Sequence, residues 1–181
     1  SKKDWAELYR YSAEVNNVSM SLLITRAIQE QTGGGLGLRG GHARNNPQGP
    51  LFYNIYNIGA NSSDQDGIDF AASRNWDTRE KAILYGSKYL MNNYITKGQD
   101  SLYLQKFDVH NNNPGHHYYM SNIRAPYSEA KNMLKGYISN YMDHVKRILE
   151  IPLYTNMPVY NAYPNSIDIN YSGTIMKNPY C

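Results

Sequence analysis

Glu30 is the residue in this sequence whose position best suits acid–base chemistry. It lies near the end of an apolar segment with helical spacing, just before the three consecutive glycines that begin at Gly33. A carboxylate near a helix C-terminus faces the negative end of the helix dipole, which disfavours its ionisation. Partial burial acts in the same direction, so we expect a carboxyl group that stays protonated near neutral pH, as a general acid must. An ordinary solvated glutamate is the alternative that this position leaves open.

The sequence that follows Glu30 supplies no second carboxylate. No Asp or Glu occurs from Gln31 to Ser63, although hydrolysis of a glycosidic bond usually uses a pair of them. Asp64 and Asp66 come next, and their position suits the cap of the following helix better. Two explanations stay open: the second group comes from far along the chain, or the substrate supplies its own.

Three histidines, His110, His116 and His117, invite a metal-site interpretation. Adjacent side chains on a helix diverge by about 100°, and no cysteine or HExxH spacing accompanies these residues, so we expect no metal ion. The glycine-rich segment from Gly33 to Gly41 follows a helix and lacks the Lys-Ser/Thr pair of a phosphate-binding loop. No Ser/His/Asp or Cys/His signature is recognisable, and no cofactor is expected.

Helices are the elements that must position these residues. Periodicity and capping residues predict helices at residues 4–15, 19–31, 63–74, 77–95, 100–106 and 128–149, with a short one that ends near Asn122. Asp77 and Glu80 would form the capping box of the helix at 77–95. The helix at 19–31 should bury one face, made by Met20, Leu23, Ile24, Ala27 and Ile28. The helix at 128–149 should bury a stripe of Ala130, Leu134, Tyr137, Tyr141, Val145 and Ile148.

Residues 32–63 differ in character from the helices on either side. Seven glycines and two prolines fall between Gly33 and Pro50, which predicts a loop or short hairpin and no helix. After Pro152 the chain is rich in Pro, Asn and Tyr, and we expect an extended tail or strap. The fold is therefore predicted to be mainly α, with a small β-lobe or irregular insertion after the second helix. Residues 1–151 would form the folded domain and residues 152–181 the tail.

The composition bounds the class of protein. Hydrophobic residues make up 41% and charged residues 18% of the chain, which suits a globular protein, and no apolar run is long enough to span a membrane. A net charge of +3 is too small for a typical nucleic-acid-binding protein but favours a polyanionic surface. The 18 Tyr, against 3 Phe and 2 Trp, would permit stacking on sugar rings. Because the chain begins SKKDWAEL, we interpret it as a domain of a longer precursor.

Several segments occur in an order that resembles one known family. They are Gln29–Glu30–Gln31, YNIYNIGA from Tyr53, SRNWDTREKAILYGSKYL from Ser73, YITKGQDSLYLQKFDV from Tyr94 and HYYMSNIRAP from His117. Together they look like the catalytic domain of glycoside hydrolase family 73, the glucosaminidases of bacterial autolysins. The resemblance covers roughly residues 4–150.

The resemblance implies a lysozyme-like α domain with a small β-lobe, as the monomeric catalytic part of a larger protein secreted to the bacterial cell wall. The implied activity is that of an endo-β-N-acetylglucosaminidase, which hydrolyses the β-1,4 bond between N-acetylglucosamine and N-acetylmuramic acid in peptidoglycan strands. Glu30 matches the family's catalytic glutamate, and Tyr119 matches its tyrosine motif and would orient the reacting group. The residues implied in substrate binding are Tyr53, Tyr56, Asn57 and Asn122.

The chain departs from the family in the β-lobe, where some members carry a second acidic residue and this sequence has none. The departure favours substrate-assisted chemistry, in which the 2-acetamido group of the sugar attacks its own anomeric carbon. A second departure, Phe107–Asp108 where related sequences often have Trp, concerns packing alone. Two alternatives stay open: a muramidase or lytic transglycosylase on the same scaffold, and a non-catalytic wall-binding module that uses the Tyr-rich surface.

Overall fold

The structure is a computed structural model that describes residues 4–108 and 125–138. The first two helices each begin after a residue whose side chain caps the N-terminus. α1 spans Trp5–Asn16, and the Asp4 carboxylate accepts hydrogen bonds from backbone N–H groups of its first turn. α2 spans Met20–Gln31 and begins after Ser19, whose hydroxyl accepts a hydrogen bond in the same way. Local capping chemistry therefore sets both starts, and the helices predicted at 4–15 and 19–31 are confirmed.

A one-turn helix and a two-stranded hairpin follow α2. α3 spans Leu36–Arg39, and the strands β1 (Gly41–His42) and β2 (Leu51–Phe52) pair antiparallel. In the register of this pair, Gly41 lies opposite Phe52 and His42 lies opposite Leu51. We call residues 36–60 the β-lobe. The hairpin confirms the small β-lobe that was predicted after the second helix.

The prediction that the glycine-rich stretch contains no helix is wrong for α3. Gly37 lies in the middle of α3 and is buried against the backbone of Asn54, where an added Cβ would be only 2.1 Å from the carbonyl oxygen. The N–H of Asn54 donates to the carbonyl oxygen of Gly37 at 3.0 Å. Glycine here permits a close approach between a helical turn and the rest of the β-lobe, whereas composition suggested only chain flexibility.

The remaining described elements are α4 (Asp64–Ser73), α5 (Arg79–Asn93), a 3-10 helix (Ile95–Lys97), α6 (Leu102–Phe107) and α7 (Ala125–Ile138). α4 is capped by Ser63 as expected. The predicted capping box of α5 is wrong, because the hydroxyl of Thr78 accepts the hydrogen bond from the N–H of Lys81 at 3.2 Å. Asp77 instead pairs with the Lys81 ammonium group at 2.7 Å.

α7 begins at Ala125, ahead of the predicted start at residue 128. Its first predicted stripe residue, Ala130, is exposed, whereas Pro126 and Met133 are buried. Glu129, which lies between these two, is only 18% exposed and contacts a charged partner, so the buried face differs from the predicted one. The rest of the stripe, the helix predicted to end near Asn122 and the tail from residue 152 lie outside the side chains that the structure describes.

The core brings α1, α2, α5 and the β-lobe together around buried residues that include Leu23, Ile55 and Ile83. On α2 the buried face differs from the predicted one, because Ile28 is 60% exposed while Arg26 and Gln31 are buried. Both polar side chains are hydrogen-bonded in the interior, so an apolar pattern alone could not place this face. Glu30 lies on the same face as Leu23, seven residues earlier.

All described residues belong to one compact unit. No helix among them has the length and apolar character needed to cross a membrane. The predicted domain boundary at residue 151 lies outside the described part of the chain.

Candidate active site

Glu30 lies in the last turn of α2, where the helix meets the β-lobe. Its side chain is half-buried, and Oε2 accepts a hydrogen bond from Asn57 Nδ2 at 3.3 Å. The same amide donates to the backbone carbonyl of Glu30 at 3.2 Å. The structure therefore brings together two of the residues that the sequence singled out, one from the helix and one from the β-lobe.

Asn57 owes its position to an unusual backbone conformation. Its φ of 49° lies in the left-handed region, which asparagine tolerates better than most residues. Asn54 fixes the turn around it: its Nδ2 donates to the carbonyls of Ile58 at 2.7 Å and Gly67 at 2.8 Å, and its Oδ1 accepts from the Ile58 N–H at 3.0 Å. Asn54 is thus a structural residue of the site that the sequence did not single out.

Gln31 joins the end of α2 to the β-lobe. Its buried Nε2 lies 3.2 Å from the carbonyl oxygen of Asn54, 3.1 Å from that of Ile55 and 3.3 Å from Asn57 Oδ1. Its Oε1 accepts from the N–H of Leu38 at 2.9 Å. Because Asn57 Oδ1 faces Gln31, Asn57 Nδ2 is directed at Glu30. Nothing in the sequence indicated this role beyond the position of Gln31 next to the acid.

Tyr56 does not line the site. It is 2% exposed and packs against α5, where a Cβ added at Gly86 would lie 2.6 Å from its ring. Burial raises the pKa of its hydroxyl well above the ordinary value. The expectation that Tyr56 contacts substrate is therefore corrected, because in this irregular segment the sequence could not tell which tyrosine faces the core.

Tyr53 is half-buried at the surface of the β-lobe. The guanidinium of Arg79 lies 4.8 Å from the centre of its ring, and the tyrosine lines a cavity of about 280 Å³ together with Trp5 and residues 77–80. Within the described residues it makes no hydrogen bond to Glu30 or Asn57. Tyr53 is therefore available to a ligand that enters this cavity.

Three charged side chains act on Glu30 from the helices around it. Arg26 lies one turn earlier on α2, and Lys106 of α6 pairs with Glu129 of α7 at 2.8 Å. Burial is the largest influence on the pKa of Glu30 and raises it. Of the charged groups, Arg26 has the next largest effect and lowers this pKa, whereas the negative charge of Glu129 raises it. The Asn57 hydrogen bond and the charge of Lys106 also lower the pKa. The net effect is a pKa above the ordinary value of a glutamate. The sequence predicted the direction but not these partners.

Two predicted site residues, Tyr119 and Asn122, lie outside the described residues, as do His110, His116 and His117. In residues 4–108 and 125–138 there is no group of three or more His, Cys, Asp and Glu residues that could hold a metal ion. The arrangement that the structure does show is a half-buried carboxyl group with a raised pKa, fixed by a side-chain amide. Such a group can deliver a proton to a bound substrate.

A helical domain that presents one acidic residue at the junction with a small β-lobe has the fold of the lysozyme-like glycoside hydrolases, and similar solved structures agree. Staphylococcus aureus autolysin E matches with 28% identity and a TM-score of 0.60, covering 75% of this chain and 59% of that one. Its complex with the muropeptide NAM-L-Ala-D-iGlu matches with 29% identity and a TM-score of 0.59, covering 72% and 58%. A catalytic mutant of autolysin E, with a glutamate replaced by alanine, was solved with the disaccharide NAG-NAM and matches at 26% identity and a TM-score of 0.58, covering 72% and 58%.

Among curated proteins, the bifunctional autolysin of Staphylococcus aureus strain MSSA476 is 30% identical over 154 residues, which cover 81% of this chain and 12% of the relative. The chain thus spans a small part of the curated relatives that it matches. No protein-family model matches it. The similarities in sequence and structure show that the chain belongs to the autolysin-type glucosaminidase domains of glycoside hydrolase family 73.

Proposed function

We propose that this chain is an endo-β-N-acetylglucosaminidase that hydrolyses the bond between N-acetylglucosamine and N-acetylmuramic acid in peptidoglycan, with Glu30 as the general acid. The observation that carries the proposal is the state of Glu30. Burial raises the pKa of this carboxyl group, and Asn57 holds one of its oxygens. A protonated, oriented carboxyl group is what cleavage of a glycosidic bond requires.

The Asn57 hydrogen bond also determines which oxygen of Glu30 carries the proton. Oε2 accepts the N–H of Asn57, so in the protonated acid the hydrogen resides on Oε1. Oε1 then donates this proton to the glycosidic oxygen as the bond to the anomeric carbon breaks. After cleavage the carboxylate that remains is stabilised by the Asn57 amide and by Arg26.

The identities of the relatives support the choice of substrate. Autolysin E binds a NAG-NAM disaccharide and a muropeptide, and its catalytic mutant lacks a glutamate. We assign Tyr53, Asn57 and Asn122 to substrate binding, and Tyr119 to the orientation of the acetamido group that serves as nucleophile. The protein would act on glycan strands of the bacterial cell wall, after secretion and as the catalytic part of a longer chain.

The test is product analysis of purified peptidoglycan digested by the wild type, by Glu30→Gln and by the control Glu14→Gln, which changes an exposed glutamate of α1. After borohydride reduction, mass spectrometry should find N-acetylglucosaminitol at the new ends. Glu30→Gln should remain folded and lose at least about a hundredfold in rate, the low end for loss of a general acid. Glu14→Gln should keep the wild-type rate.

Other products would contradict the proposal in recognisable ways. Muramitol ends would identify a muramidase, and anhydro-muramic ends a lytic transglycosylase. Binding to walls without any new reducing end would identify a non-catalytic module. A folded Glu30→Gln protein with near-normal activity would remove Glu30 from the mechanism.

A further inference from the structure

Lys106 and Glu129 form an ion pair in the interior, between α6 and α7. Lys106 Nζ lies 2.8 Å from Glu129 Oε1, and the two side chains are 1% and 18% exposed. Charges removed from water to this extent are costly unless they are paired. The exposed pairs of this domain, such as Arg10 with Glu14 on α1, carry no such cost. Because burying this pair costs free energy, we expect the two charges to have a function that a surface pair would not have.

A second buried cation contacts Gln105, the residue before Lys106 on α6. Arg26 of α2 is 8% exposed, and its Nη1 donates to Gln105 Oε1 at 2.8 Å. Consecutive residues of α6 thus engage two different helices, since Gln105 holds a side chain of α2 and Lys106 holds one of α7. Arg26 and Glu30 are one helical turn apart on the same side of α2. The charged residues of α6 and α7 are in this way connected to the helix that carries the acid.

This arrangement raises a problem for acid catalysis. Two buried cations near a carboxyl group favour its ionised form, whereas a general acid must hold its proton. Among the described residues, the groups that act on Glu30 are Arg26 from α2, Lys106 from α6, Glu129 from α7 and the neutral Asn57 from the β-lobe. Glu129 alone among these groups is negative, so it acts together with burial, the largest influence on the pKa of Glu30, against the two cations.

We propose that Glu129, held in place by Lys106, is a positioning residue that adds to the effect of burial and helps to keep Glu30 protonated by offsetting the buried positive charge around it. The inference rests on the proposed function, because it assigns Glu129 a role in the same reaction. Glu129 supplies the second carboxylate that the β-lobe lacks, from 99 residues further along the sequence. Its role is electrostatic, and it neither attacks the sugar nor activates water.

The primary test measures the protonation of Glu30 directly, by carbon-13 NMR titration of its carboxyl group. In Glu129→Gln the side chain keeps its size and loses its charge, so the titration midpoint of Glu30 should move to lower pH than in the wild type. Lys106→Met should move the midpoint to higher pH. The double variant should fall between the two single variants, because both charges of the pair are removed together.

The second measurement is the pH dependence of kcat/KM on peptidoglycan. For Glu129→Gln the alkaline limb should move to lower pH, with the wild-type rate retained on the acidic side and lost on the alkaline side. Glu129→Asp, which keeps the charge, should restore most of the wild-type profile. Glu14→Gln removes a charge of the same kind from an exposed pair and should leave both the profile and the Glu30 titration unchanged.

Two results would overturn the inference. One is a Glu30 midpoint that stays in place in folded Glu129→Gln; the other is a fall in kcat at every pH without displacement of the alkaline limb, which would make Glu129 a structural or directly reacting group. If Glu129→Gln does not fold, Lys106→Met is compared with the double variant. The titration midpoint of Glu30 should then lie at lower pH in the double variant than in Lys106→Met. Absence of glycosidase activity in the wild type would defeat the proposed function, while the NMR titration would still decide the role of Glu129.

Discussion

The amide of Asn57 contacts Glu30 twice, through Nδ2 to the side-chain Oε2 at 3.3 Å and to the backbone carbonyl at 3.2 Å. The two contacts fix the acid relative to its own helix as well as to the β-lobe. Gln31 holds the other end of the same amide at 3.3 Å, so the orientation of Asn57 is set by α2 itself. The proton donor is therefore joined by hydrogen bonds to the loop that would contact the substrate.

Replacement of Asn57 by glycine should change both the orientation of Glu30 and its ionisation. Glycine tolerates the φ of 49° at this position, so the backbone is preserved while the amide is lost. We expect kcat to fall by about 10-fold to 100-fold, because the carboxyl group is no longer held. The Asn57 hydrogen bond lowers the pKa of Glu30, so the alkaline limb of the pH profile should move to higher pH. The control is Asn61→Gly, which changes an exposed asparagine and should leave kcat unchanged. A kcat that is also unchanged in Asn57→Gly would contradict the role of Asn57.

The raised pKa of Glu30 should also appear in the stability of the fold. The folded state binds a proton more tightly than the unfolded state at this residue, so the free energy of unfolding decreases as pH rises from the unfolded pKa through the folded pKa. Glu30→Gln lacks this ionisation. Its stability relative to the wild type should therefore be higher at pH 8 than at pH 4, as urea denaturation at both values would show. An identical difference at the two pH values would mean that burial does not perturb Glu30.

Tyr56→Phe tests the placement of Tyr56 in the core. Its hydroxyl is buried, and within the described residues it has no hydrogen-bond partner, so its removal should leave the melting temperature unchanged or raise it. Tyr56→Ala should cost about 3–5 kcal/mol, as for other large core side chains. Both variants should keep the KM of the wild type once folded. A raised KM in Tyr56→Phe would return this residue to the substrate-binding surface.

The parts of this domain that the sequence predicted correctly depend on local chemistry. Asp4 and Ser19 cap helices through contacts within three residues, and the position of Glu30 near a helix end before glycines is visible in the sequence. Residues that the sequence missed act over long separations: Gln31 reaches Asn54 across 23 positions and Arg26 reaches Gln105 across 79. Their polar character suggested exposure, whereas the folded chain buries them because each finds a partner.

The stereochemistry of the first product shows which group attacks the anomeric carbon. Substrate assistance by the acetamido group involves two inversions at the same carbon, so NMR immediately after cleavage should detect the β-anomer first.

The two aspartates of the first turn of α4 are the next acids in the sequence after Glu30. Asp66 accepts a hydrogen bond from Arg44 of the β-lobe, which lowers the pKa of this carboxyl, and Asp64 is exposed. Because both aspartates belong to the N-terminal turn of α4, we expect neither to activate water, and Asp64→Asn and Asp66→Asn should retain activity on peptidoglycan. Tyr119→Phe should slow turnover with the fold intact, because it deletes the hydroxyl assigned to orient the acetamido group. An α-anomer in the first spectra would exclude substrate assistance and require a water activated by a remote base, with the two aspartates and Glu129 as the residues to test.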